Sequence, residues 1–264
     1  MYWSDWTPRP TVAQRRALAA KETRKRARKG ETLSPVEPIA GRQVAESFWG
    51  QAWCTHLEGH ADYSNRLPRG RSYVRNGSVL DLKIAAGKVH ALVQGSSLYT
   101  VEVTIRTLAP KRWKDLVARC AGRVDSVVEL LRGSVSDETL RHLTDRKTGM
   151  FPAPAEMSFS CSCPDWADMC KHVAAALYGV GARLDRAPEL LFTLRNVDQA
   201  ELVKTSVGLG RKQARAAHAL QGADLGAVFG IELEGGAPAA PRARRAAPAK
   251  KKARKKAAGT RRAR

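Results

Sequence analysis

Long apolar runs are missing from this chain of 264 residues. No stretch approaches the roughly 20 residues needed to span a bilayer, so no membrane segment is expected. The opening "MYWSDWTPRP" lacks a charged head followed by an apolar stretch, so no secretory signal is expected either. Cysteine is scarce, at five residues. That odd number fits a disulfide framework poorly and points to a reducing compartment. Also missing are a nucleophile paired with a base, a phosphate-binding glycine loop and a carboxylate pair of known spacing. The expectation is therefore a protein that is not an enzyme and has no small-molecule substrate. Acidic residues are few: 25 Asp and Glu face 46 Lys and Arg, for a net charge of +21.

That charge is unevenly placed. Residues 1–30 hold +7 and residues 236–264 hold +12 with no acid at all, which leaves +2 for everything between. A nearly neutral core with two basic ends suits a polyanionic partner reached mainly through the ends. Residues 1–45, with "TRKRARKG" and little apolar periodicity, are expected to be a mostly disordered basic arm beyond one short helix. The tail "PAAPRARRAAPAKKKARKKAAGTRRAR", within residues 236–264, cannot bury enough apolar area to offset its ordering entropy and is expected to be disordered. Between them the sequence divides into an α+β domain (46–150), a metal-binding segment (151–186) and a helical segment (187–235).

Within 46–150, "SVLDLKI", "KVHALVQ" and "LYTVEVTIR" read as three strands. In the third, Tyr99, Val101, Val103 and Ile105 alternate with Thr100, Glu102, Thr104 and Arg106, the period of a half-buried strand. Ala86-Gly87 closes the first hairpin and "GSS" turns the chain into the third strand, which gives an antiparallel β-meander. Helices follow. Trp113, Leu116, Val117 and Cys120 fall at i, i+3, i+4 and i+7, as do Val124, Val127, Val128 and Leu131. A third helix is expected to start at a Ser136 cap and to carry Leu140 and Leu143. The fold class is thus α+β, an antiparallel meander with helices plus a small ββα zinc module.

Three of the five cysteines and a histidine crowd into "FSCSCPDWADMCKHVAAALYG". Residues two apart on a strand point to one face, so Cys161 and Cys163 can aim both sulfurs at a single point. Cys170 and His172 open a run whose Val173, Leu177 and Leu184 supply a helical apolar face. Three thiolates and one imidazole are the donors and the number that favour tetrahedral Zn²⁺. Iron–sulfur ligation usually asks for four cysteines. Four protein donors leave no position for water, so the zinc reads as structural, with Asp165 and Asp168 as cap and dipole partners of the helix.

Cys-X-Cys, a short spacer and Cys-X-His, here Cys161-Ser-Cys163, six residues, then Cys170-Lys-His172, resembles the SWIM-type zinc finger. Upstream, "FWGQAWCTHLEGHADYSNRLPRGRSYVRNGSVLDLKI" is similar to the N-terminal half of bacterial SWIM-finger proteins, often encoded beside Swi/Snf-type helicases. The resemblance covers about residues 46–235. It implies a finger that binds either nucleic acid or protein, and a Swi/Snf-type helicase or a recombination factor as one class of partner.

Two further clusters carry candidate chemistry. "NRLPRGRSYVRNG" sets Arg66, Arg69, Arg71 and Arg75 around Tyr73 in what reads as a loop before the first strand. Arginines flanking an aromatic can hold phosphates and stack on a base. The competing reading pairs them with Asp62 and other acids of the core. In "WCTHLEGH", Cys54, His56 and His60 lack the His-Glu-X-X-His order of a zinc protease, and Trp49 and Trp53 four apart read as packing. The function expected from the sequence is a zinc-stabilised nucleic-acid-binding or adaptor protein, with DNA as the first partner and the basic ends giving sequence-independent affinity. The alternative is a protein-interaction module whose core touches little nucleic acid. Its location would be the cytoplasm, at the nucleoid.

Overall fold

The computed structural model describes residues 10–59 and 65–204. Its centre is a four-stranded antiparallel sheet: β1 (Val79–Ala85), β2 (Lys88–Gln94), β3 (Leu98–Ile105) and β4 (Met157–Cys161), in the order β1-β2-β3-β4. Gly87 takes φ +68° in the tight β1–β2 turn, a conformation open to glycine without a Cβ penalty. Along β3, Tyr99, Val101, Val103 and Ile105 are buried while Thr100 and Thr104 face solvent, as the period-2 pattern predicts. The α+β meander read from the sequence is the observed fold.

Eight helices surround this sheet among the described residues: α1 (Val12–Arg28), α2 (Phe48–Glu58), α3 (Leu67–Arg75), α4 (Pro110–Cys120), α5 (Val127–Arg132), α6 (Asp137–Thr144), α7 (Lys171–Leu184) and α8 (Leu190–Arg195). The central one is α7, which contacts all four strands as well as α2 and α3. Its sequence "KHVAAALYGVGARL" is apolar on nearly every face, and only a helix buried all round can be so. Small residues let the neighbours come close. A Cβ on Gly70 of α3 would lie 2.5 Å from Ala174 Cβ, and one on Gly181 would lie 2.7 Å from Cys54 Sγ of α2. Trp53 fixes the α2–α7 pair by donating from Nε1 to the Leu177 carbonyl at 2.8 Å.

Several local expectations change. The arm expected to be mostly disordered over 1–45 contains a helix of 17 residues with a Thr11/Gln14 capping box. Beyond it, residues 34–36 run along the β1 edge: Val36 N–H donates to Val79 O and Leu82 N–H to Ser34 O. An uncovered sheet edge is a liability, and this segment covers one. Residues 67–75, read as a loop, form α3, with Pro68 in the first turn where its missing N–H costs nothing. The second helix after the meander starts at Val127 under a Ser126 cap. Val124 is buried ahead of it and Val128 is 56% exposed, so the four-valine/leucine face does not form. Helices α4 and α6 fall where the periodicity and the Ser136 cap place them. Of the helical segment 187–235, α8 is described, and everything from 205 on, including the basic tail, lies outside the described residues. No helix among the described residues is long and apolar enough to cross a membrane.

The zinc module is not a separate knuckle. Its two strands are β3 and β4 and its helix is α7, so the finger is built on the main sheet. In register, Val101 faces Cys161, Val103 faces Phe159 and Ile105 faces Met157. The other end of β4 is tied down by an ion cluster. Glu156 accepts from fully buried Arg195 at 3.0 Å and from Arg112 at 3.4 Å, and Arg195 also donates to the Arg106 carbonyl at 2.7 Å.

Candidate metal centre and the adjoining groove

Cys161 is the last residue of β4. Pairing continues one residue further, with Ser162 N–H donating to Thr100 O and Thr100 N–H donating to Ser162 Oγ, both at 3.0 Å. This extension holds Cys163 two residues on and on the same side as Cys161. The chain then loops through 162–169 and returns at Cys170, which caps the N-terminus of α7 in extended conformation, with His172 in the first turn. Cys170 and His172 are buried, and Cys161 and Cys163 half-buried.

The four donor atoms all lie within 4.8 Å of one another. His172 Nδ1 stands 3.8 Å from both Cys161 Sγ and Cys170 Sγ. A tetrahedral zinc with Zn–S near 2.3 Å and Zn–N near 2.0 Å spans N···S edges of about 3.5 Å and S···S edges of about 3.8 Å. The observed spread therefore needs only a small contraction to close on an ion. The electrostatics agree. A hydrogen bond from Cys161 holds the Cys170 thiol below its ordinary range against the cost of burial, helped by His172 and the N–H groups of the first turn. The reciprocal bond pushes Cys161 up. Cys161, Cys163, Cys170 and His172 can hold a metal ion, and the donor set fits zinc. They fill a tetrahedron by themselves, as structural sites do.

The histidine ring is fixed from both sides. Tyr99 of β3 stacks on it with ring centroids 4.3 Å apart, and Tyr73 of α3 meets it edge-on at 5.5 Å. With Nδ1 turned to the sulfurs, Nε2 is buried and has no hydrogen-bond partner among the described residues.

These aromatics also line a groove of about 530 Å³ beside the metal centre. Among the described residues, Arg15 of α1, Arg66, Arg69 of α3 and Lys171 of α7 line it, with Asp165 as the one carboxylate. Arg66 and Asp165 are a pair at 3.0 Å, Arg15 lies over the Tyr73 ring at 4.7 Å, and Arg69 and Lys171 form no ion pair with any described residue. The arginine cluster read from the sequence is thus divided. Arg66, Arg69 and Tyr73 meet at the groove. Arg71 turns away to Glu58 and to the Tyr178 hydroxyl, and Arg75 does not line the groove. Asp62, the expected partner, lies outside the described residues. Arg15, Tyr99 and Lys171 were not legible as site residues, because nothing in their local sequence joins them to the cluster. Trp166 was legible in principle, as the one aromatic in "CPDWADMC", and it is 93% exposed.

The remaining cysteines stand apart from the metal centre. Burial pushes Cys54 up to about 12 and Cys120 up to about 11. His56 bonds the Pro152 carbonyl at 2.9 Å, and His60 lies outside the described residues.

Residues 155–180 match the SWIM zinc finger family. The chain is also similar to the protein Rv2102 of Mycobacterium tuberculosis, at 32% identity over 163 residues, which is 61% of this chain and 58% of that relative. It thus spans a little over half of that protein's length. No solved structure matches it. The motif, the converging donors and the matched segment agree: residues 155–180 match a SWIM zinc finger built into the edge of the sheet.

Proposed function

We infer that the protein is a non-enzymatic, zinc-stabilised nucleic-acid-binding protein, with DNA as its first partner. A SWIM finger is a nucleic-acid or protein interaction module, and the observation that favours nucleic acid is the groove. Among the described residues, four cations and two tyrosines meet there around one carboxylate, while the central part of the chain as a whole is nearly neutral. Phosphates need cations that are not already neutralised, and Arg69 and Lys171 meet that requirement. The closed Cys₃His donor set supports a structural role for the metal, with no open position for a substrate or water.

The test is fluorescence anisotropy of a labelled duplex DNA with the full chain, with and without Arg69→Glu. Arg69 is exposed and holds no ion pair with a described residue, so its reversal should leave zinc content and the melt unchanged. Duplex affinity should fall, and the slope of log affinity against log salt should flatten by about 0.9 for the lost phosphate contact. A full chain that binds no nucleic acid at low salt would sink this reading and leave the finger a protein-interaction module.

A further inference from the structure

Trp166 is the most exposed large apolar residue among those described, and its place in the chain makes that exposure expensive to explain away. The three other described tryptophans, Trp49, Trp53 and Trp113, are all buried. An indole left in water forgoes the burial that drives folding, and this one directly follows Pro164 and Asp165, which line the charged groove. Nor is Trp166 at the tip of a slack loop. The residue before it, Asp165, is gripped by both terminal nitrogens of Arg66 at 3.0 and 3.3 Å and accepts the Ala167 N–H at 3.3 Å. Three residues after it Met169 is buried, followed by the ligand Cys170. The loop is thus anchored to α3 on one side and to the metal centre on the other, with the indole held out between the two anchors. The anchored backbone on both sides leaves less loop entropy to lose on binding.

We propose that this loop and groove form a site for single-stranded nucleic acid, the phosphates running past Arg69 and Lys171 and an unstacked base lying on the Trp166 indole. The proposal rests on the nucleic-acid reading above and narrows it. Base–aromatic stacking tolerates any sequence but needs an accessible base face, which a strand offers and the interior of a duplex does not. The groove's surplus of cations suits the phosphates that accompany such a base. Zinc enters as the clamp that keeps the loop closed and the indole in place.

The experiment compares the full chain, Trp166→Ala and Trp166→Phe on three labelled probes of about 15 residues, oligo-dT, oligo-U and a duplex, at about 0.3 M salt where the basic ends are screened. Trp166→Ala should weaken single-strand binding by about 5- to 100-fold. Trp166→Phe should recover most of that, and duplex affinity should change less than about twofold. Zinc content should be the same in all three proteins. Tryptophan emission of the wild type minus that of Trp166→Phe isolates this indole and should be quenched by the single strands. A loss confined to oligo-dT or to oligo-U names the preferred strand and supports the site. Unchanged single-strand affinity in Trp166→Ala overturns it, as does an equal loss on the duplex. If duplex binding survives in that case, the broader reading stands; if no probe binds the full chain, both fall.

Discussion

Removing zinc should loosen this protein without unfolding it, because its finger is grafted on a helix that holds itself in the core. Val173, Leu177, Val180 and Leu184 of α7 are each fully buried, and at about 1.5–3 kcal/mol apiece these four alone contribute about 6–12 kcal/mol. The stabilisation from zinc is a linkage term, about 4 kcal/mol when free metal stands a thousandfold above its dissociation constant. The apolar packing of α7 exceeds that, and β4 keeps its pairing with β3 in any case. Chelation should therefore lower the melting temperature by about 8–16 °C, at about 2–4 °C per kcal/mol for a domain of this size. Far-UV circular dichroism at 25 °C should stay close to that of the metal-bound protein. Cys163→Ser should show the same shift with zinc content well below one ion per chain, whereas Cys54→Ser and Cys120→Ser should keep it. A chelated protein that loses its helical signal at 25 °C would refute the argument that α7 stands without zinc. An unchanged melt, or full zinc in Cys163→Ser, would refute the assignment of the site.

What the sequence could and could not disclose follows from how far apart the interacting residues lie. The metal site was legible because its four donors sit within a dozen positions, and strand and helix periodicities bring them together with no long-range information. The meander was legible for the same reason, since each hairpin is local. The groove was not. It is assembled from α1, α3, the start of β3 with the turn before it, the zinc loop and the first turn of α7, segments that share no pattern. Helix α3 was misread because Pro68 and Gly70 look like breakers. Pro68 is harmless in a first turn, and Gly70 serves the close approach to Ala174, a reason visible only in three dimensions. Helix α1 was underestimated because its charge density and single buried residue, Ala19, mask a capping box that "TVAQ" does contain. The loop reading of the arginines failed with α3, and with it the idea that all of them serve one surface.

The separation of those arginines makes two contrasts measurable. Arg71→Glu would set a second carboxylate against Glu58 and forfeit the Tyr178 contact, so it should cost about 1 kcal/mol in a denaturant melt, while Arg69→Glu should cost nothing measurable. Glu156→Gln should cost about 3–5 kcal/mol near neutral pH, since it strands the fully buried Arg195. Burial raises the Glu156 carboxyl, but the Ala153 N–H, Arg195 and Arg112 outweigh it and hold the group below the usual carboxylate range. A depressed carboxylate stabilises above its unfolded value and loses that stabilisation as pH falls through the folded one. The gap between wild type and Glu156→Gln should therefore be widest above about pH 5 and close in acid; a constant gap would mean the cost is packing. The last contrast concerns the basic ends. Residues 236–264 hold +12 of the net +21, with nothing in their sequence to fix side chains against base edges. If half of those cations engage phosphates, the slope of log affinity against log salt on duplex DNA should be roughly −5 from this segment alone. Deleting it should flatten the slope by that amount and weaken binding to every duplex alike. Zinc content should not change, since the four ligands lie in 161–172. Single-strand affinity at about 0.3 M salt should hardly move, because the cations it removes are already screened there. A deletion that leaves the slope intact would make this segment a bystander and place the binding charge in the groove and in residues 1–30.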